Sequence, residues 1–274
     1  TTDDDVLPDP KTRVGTLAEI QRAYRLYAAG DFESAVPVLQ QVIAENPKME
    51  DAWEYLALAQ LGLGRPAEAV ATYQAAFDHI PNSKRLSLRA AMLFEQMGRL
   101  DEASIYANIA IPYNPPAANL LLAQIAFKRG DLEGAETAAR EAMSSGDRQA
   151  GPWLVLADIA LARDKPDEAI DLLTQALAEG VTDDSVHAKL AIIYVWIGDD
   201  DSAEEILRGF EETEDLSLLL AFGKLASSRQ RWGEAKGWFE RALRADPTNP
   251  TSKLNLGQIA MACSSPVRET CKGP

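Results

Sequence analysis

Seven times between residues 30 and 235 the chain returns to one short pattern that runs from a turn into an alanine. The copies are GDFESA at 30–35, GRPAEA at 64–69, GRLDEA at 98–103, GDLEGA at 130–135, DKPDEA at 164–169, GDDDSA at 198–203 and QRWGEA at 230–235. The closing alanines, Ala35, Ala69, Ala103, Ala135, Ala169, Ala203 and Ala235, lie 34, 34, 32, 34, 34 and 32 residues apart. Prolines keep the same time: Pro47, Pro81 and Pro115 are 34 apart, and Pro247 closes the last full unit. A compact globule has no reason to repeat one turn seven times. A stacked array does, because each unit must present the same face to its neighbour. This overrides the one or two domains that 274 residues would otherwise suggest.

Each period reads as two amphipathic helices. In the second, Trp53, Leu56, Ala57 and Leu61 give an apolar stripe at i, i+3, i+4 and i+8. GLGRP breaks it, and Ala69, Val70, Tyr73, Ala76 and Phe77 make a second stripe that Pro81 stops. The repeated turn has a physical reading. Gly30, Gly64, Gly98, Gly130 and Gly198 supply a permissive backbone where the first helix ends. Asp31, Asp131 and Asp199 are placed to cap the next helix. Glu33, Glu68, Glu102, Glu133 and Glu168 favour its positive end. The closing alanine lets the two helices approach closely.

On these residues the chain resembles the tetratricopeptide repeat family, whose pattern is Trp-x2-Leu-Gly-x2-Tyr, then Ala-x3-Phe, then Pro on a 34-residue period. The second repeat shows WEYLALAQ, AVATY and Pro81, the fifth WLVLADIA and AIDLL, and a partial eighth LNLGQIA. The resemblance implies an all-α fold, a right-handed alpha-alpha superhelix of seven helix-turn-helix repeats plus a final capping helix. The expected repeats are about 16–49, 50–83, 84–115, 116–149, 150–183, 184–215 and 216–249, with the cap at 250–262. Residues 1–15, acidic and broken by proline, read as a linker, and 263–274 as a tail.

Composition narrows the partners. With 27 Lys+Arg against 42 Asp+Glu, the formal net charge is −15. So acidic a chain repels a phosphate backbone and anionic membrane surfaces, so neither nucleic acid nor membrane is an expected partner. The longest apolar run, AIIYVWI at 191–197, is far short of a membrane helix. Alanine-rich, arginine-over-lysine usage fits a GC-rich bacterium. The compartment stays open, with a lean toward bacterial periplasm or cell envelope over cytoplasm. Cys263 and Cys271 lie in the last 12 residues, as a local disulfide or as two tail thiols.

No catalytic constellation is legible. His79 and His187 sit in separate repeats without ligand spacing, so no metal and no cofactor are expected. Acidic pairs are plentiful, but no third group converges on any of them. The densest run, EETED at 211–215, reads as a solvated loop or as a docking spot for a basic partner. We therefore expect this chain to be no enzyme but a scaffold or adaptor that binds a peptide or partner helix.

In the family, first helices line a concave groove. Carried over by register, its lining would include Tyr24, Tyr27, Tyr55, Leu58, Arg85, Arg89, Met92, Phe127, Lys128, Lys189 and Trp196, with Asp158, Ile192 and Lys224 beside them. Some members hold a peptide's terminal carboxylate with Lys and Asn on successive repeats and a Lys-x3-Arg pair on the third. Arg85 and Arg89 suit the third pair, but Ile20, Tyr24 and Tyr55 occupy the other places, so the full clamp is absent. The arginines either meet an anionic ligand or pair with groove acids such as Glu54 and Glu95. A second expectation comes from LPDPKTRVG at 7–15, which resembles the junction before the tetratricopeptide tail of bacterial sulfatase-like proteins. It implies a larger enzyme whose catalytic domain lies upstream of this chain. The start at Thr1 rather than Met fits that expectation without requiring it.

Overall fold

A computed structural model describes residues 10–263, with side chains from 18 onward. Fifteen helices account for the regular structure among the described residues, in the all-α hairpin repeat that the register predicts. The chain divides into two compact units between Arg129 and Gly130, inside the turn of the fourth repeat.

The N-terminal unit holds α1 (Pro10–Ala28), α2 (Phe32–Glu45), α3 (Glu50–Gly62), α4 (Pro66–His79), α5 (Lys84–Gln96), α6 (Leu100–Ala110) and α7 (Pro115–Lys128). Helices α1, α3 and α5 each pack on their own second helix and on the first helix of the next repeat. Helix α1 begins at Pro10, so residues 10–15, read above as linker, open a helix instead; a proline's fixed φ suits that first position. The C-terminal unit holds α8 (Leu132–Ser144), α9 (Ala150–Ala162), α10 (Pro166–Ala178), α11 (Asp184–Ile197), α12 (Asp200–Leu207), α13 (Leu216–Ser228), α14 (Trp232–Ala245) and α15 (Pro250–Cys263). The pairing of Cys263 with Cys271 lies outside the described residues.

The repeated hexapeptide does what its composition requires. All seven of its first residues take a left-handed backbone: Gly30, Gly64, Gly98, Gly130 and Gly198, and also Asp164 (φ 58°) and Gln230 (φ 57°). Its third residue starts every second helix. Asp31, Asp131 and Asp199 each accept a hydrogen bond from a backbone N–H three residues on, at 3.2, 2.9 and 3.1 Å. The seven closing alanines are all fully buried. Larger side chains fill the space between hairpins, with Leu39, Tyr73, Phe94, Leu173 and Phe239 among the most buried.

The two 32-residue intervals coincide with short second helices. Helix α6 has 11 residues and α12 only 8, against 13 or 14 in the others. Helix α12 stops at Leu207, where Arg208 is extended and Gly209 turns left-handed. A cavity of about 220 Å³ remains beside its end, lined by Leu207, Phe222, Leu225 and Trp238 among others. The acidic run that follows is used locally. Glu211 accepts from the Gly209 N–H, Glu214 pairs with Arg241, and Asp215 caps α13.

Candidate functional site

The first helices carry side chains that their own hairpins do not bury. In the N-terminal unit the structure brings three of the expected residues together. Tyr55 stands 5.4 Å from Tyr24 and 5.6 Å from Tyr27, ring centre to ring centre. Tyr27 also packs 5.5 Å from Phe32. Tyr24 is 50% exposed, whereas Tyr27 and Tyr55 are half-buried. Burial pushes the Tyr55 hydroxyl above its usual pKa, and the neighbouring Tyr24, Asp51 and Glu54 push the same way. Tyr24, Leu58 and Met92 share one place in the repeat, six residues before the left-handed turn residue. Tyr24 and Met92 are exposed and Leu58 is half-buried.

Arg85 and Arg89 share a face of α5 but are not free. Glu54 of α3 reaches Arg89 at 2.9 Å and Arg85 at 3.5 Å, while Glu50 and Asp51 also pair with Arg85. Burial opposes the Arg85 charge, yet the Asp51 hydrogen bond and the surrounding acids outweigh it and hold the guanidinium above its ordinary range. Glu95 pairs with Lys128 of α7 rather than with either arginine. Next to Lys128, Phe127 is half-buried.

The same device recurs in the C-terminal unit, where Asp158 of α9 holds Lys189 of α11. An acid on one first helix thus grips a base on the next. A parallel set ties the turns of successive repeats: Glu33 to Arg65, Asp101 to Arg129, Glu136 to Arg163, and Asp201 with Glu204 to Arg229. Most of these groups are at least partly exposed, so each pair adds little stability alone but helps fix the register between repeats. Trp196, near the end of α11, is 59% exposed. Sequence reasoning missed Trp232, which lines a cavity with Trp196. Its signal was a tryptophan where other copies of the turn have Phe, Pro, Leu or Asp.

The histidines take structural places. His79 stacks on Trp53 at 5.8 Å, and His187 lies 5.0 Å from Phe210. Among the described residues no helix is long and apolar enough to cross a membrane.

Comparison with known proteins places this geometry. Tetratricopeptide repeat models match residues 20–84, 88–150 and 160–215. The chain is similar to the TPR repeat-containing protein YpiA of Bacillus subtilis, 24% identical over 250 residues, which cover 88% of this chain and 58% of that protein. It therefore spans little more than half the length of that relative. Among solved structures it resembles a tetratricopeptide repeat protein of Parabacteroides merdae, with TM-score 0.75, 17% identity and coverage of 89% and 98% of the two chains. It also resembles the APC/C hetero-tetramer Cut9–Hcn1 (TM-score 0.62, 15% identity, 93% of this chain and 50% of that one). The type IV pilus biogenesis factor PilW gives TM-score 0.57 at 16% identity, over 88% and 98%. With family models matching more than half of its residues, the chain belongs to the tetratricopeptide repeat family.

Proposed function

We propose that this chain is a protein-interaction scaffold whose first helices bind a segment of a partner protein, and that it performs no chemistry itself. The observation that carries this reading is the exposure of large apolar side chains on first helices: Tyr24 at 50%, Met92 at 42% and Trp196 at 59%. Aromatic and methionine side chains are the types that anchor partners in interfaces. They stand beside ion pairs that hold successive first helices in register, so the surface is ordered before a partner arrives, which lowers the cost of binding. Arg85 and Arg89 belong to this surface as part of its frame, because their charges are already engaged by Glu50, Asp51 and Glu54.

The reading is tested by photo-crosslinking in an extract of the source cells. Within the N-terminal unit a crosslinking residue at Tyr24 or Met92 should trap a partner and one at Gln74 should not; within the C-terminal unit Trp196 should and Lys236 should not. Equal trapping from second helices, or none from first helices, would remove the first-helix surface from consideration.

A further inference from the structure

Among the described residues no ion pair joins α11 to α13 in the way that Asp158 and Lys189 join α9 to α11. Asp158, six residues before the left-handed Asp164, holds Lys189. The same place in α11, six residues before Gly198, is Ile192, which offers no charge to α13. Lys224 of α13 accordingly has no ion pair among the described residues. Beside it lies a cavity of about 470 Å³ whose lining includes Ile192, Trp196, Lys224, Trp232, Asn255 and Gln258. Among the described residues no aspartate or glutamate lines this cavity, in a chain that carries 42 of them against 27 Lys and Arg. Its charged group is the Lys224 ammonium, which favours a negative partner.

The wall beside Lys224 is aromatic: Trp196 is 59% exposed, and Trp232 lines the same space with its indole N–H enclosed. Two of the other polar groups in the lining are already used: Ser227 donates its hydroxyl to the Gly223 carbonyl at 2.8 Å, and the Asn255 amide donates to the Thr251 carbonyl at 2.7 Å. What remains is one ammonium, the Ser228 hydroxyl, the Gln258 amide and an exposed tryptophan face.

We infer that this cavity receives an interior segment of a partner polypeptide in which an aspartate or glutamate stands next to an aromatic or aliphatic residue. The carboxylate meets Lys224 Nζ, and the apolar side chain lies against Trp196 and Ile192. A side-chain carboxylate fits better than a chain terminus, because among the described residues a single cation lines the cavity. The inference rests on the reading that first helices bind a partner, and it names the chemistry of one subsite.

The test uses the full chain and an array of N-acetylated, C-amidated octapeptides. Gly-Ser flanks surround a central pair, with Glu, Gln or Lys followed by Phe, Leu or Ser. Glu-Phe and Glu-Leu peptides should be retained at least about fivefold more strongly than their Gln and Lys counterparts and than Glu-Ser. Lys224→Ala should abolish the preference for Glu over Gln, Lys224→Arg should keep it, and Trp196→Ser should weaken the Phe and Leu peptides alike. Circular dichroism confirms that each variant keeps its helix. Equal retention of Glu and Gln peptides, no effect of Lys224→Ala, or no binding to any peptide overturns the inference. Stronger binding of the same sequences ending in a free Phe carboxylate overturns the choice of an interior segment. The crosslinking experiment judges the first-helix reading separately: a partner trapped at Tyr24 and Met92 with no array preference removes this subsite alone.

Discussion

Replacing Gln230 with glycine should stabilise the C-terminal unit. Gln230 sits at φ 57°, where five of the other hexapeptide copies have glycine. For a residue with a Cβ, the left-handed region costs about 1–2 kcal/mol. Glycine removes that cost but gives the unfolded chain more freedom, which offsets about 0.5–1 kcal/mol. The Gln230 side chain is exposed, and the hydrogen bond it anchors runs from its backbone N–H to the Ser227 carbonyl, which glycine keeps. The expected net gain is about 0.5–1 kcal/mol, or a rise of about 1–4 °C in the melting of a domain this size. The mirror change, Gly198→Gln, should lose a similar amount. A Cβ at Gly198 meets nothing within 4 Å, so that loss is backbone strain rather than collision. Asp164→Gly should gain less than Gln230→Gly, because aspartate tolerates this region better than glutamine. Urea unfolding followed by circular dichroism, with the slope unchanged, measures all three. If Gln230→Gly lowered stability, or Gly198→Gln were neutral, the turn would not be selecting its residue by backbone conformation, and the account of the repeat would fail.

Gly223→Ala should destabilise by about 1–3 kcal/mol, since its Cβ would stand 2.7 Å from the ring of the fully buried Phe239. Gly257→Ala, with nothing within 4 Å in the last helix, should instead stabilise by up to about 1 kcal/mol; thermal melts compare the two. Thr72→Val should cost about 1–3 kcal/mol in urea unfolding, because Thr72 donates to Gln60 Oε1 at 2.7 Å and both residues are buried. The Arg163 and Arg140 hydrogen bonds hold the Glu136 carboxylate below its usual pKa. A group depressed in the folded state contributes stability that is present above the unfolded value, about 4.3, and lost as pH falls through the folded one. Glu136→Gln should therefore flatten the loss of stability in acid, read by unfolding at pH 5 and below; an unchanged acid limb would refute the assignment.

The hairpins were legible because one local signal repeats in register. The left-handed turn, the capping aspartates and the buried alanines are each decided within a few residues, so seven copies average away the noise in any one. Left-handed Gln230 and Asp164 were not legible as such, because glutamine and aspartate do not announce a positive φ; only their place in the register does. The candidate site was harder. The register put Tyr24, Tyr27 and Tyr55 on one surface, but it left open whether Arg85 and Arg89 meet a ligand or an acid. That depends on how Glu50, Asp51 and Glu54 extend from a neighbouring helix, which spacing within one helix does not determine. Lys128 illustrates the same limit, since it claims Glu95. Trp232 was read as part of a turn, and only the packing of α11, α13, α14 and α15 turns it into cavity wall.

The shortness of α12 has a thermodynamic consequence. In a linear array, cooperativity passes only from each repeat to its neighbours, so one weak coupling limits how far order propagates. An eight-residue helix closes few internal hydrogen bonds and leaves its side of α13 beside a cavity. Amide protons of α12 should therefore exchange with solvent sooner than those of the 13-residue α10. Because α11 packs directly and broadly on α13, α12 can open in this way while the sixth and seventh repeats stay joined through their first helices.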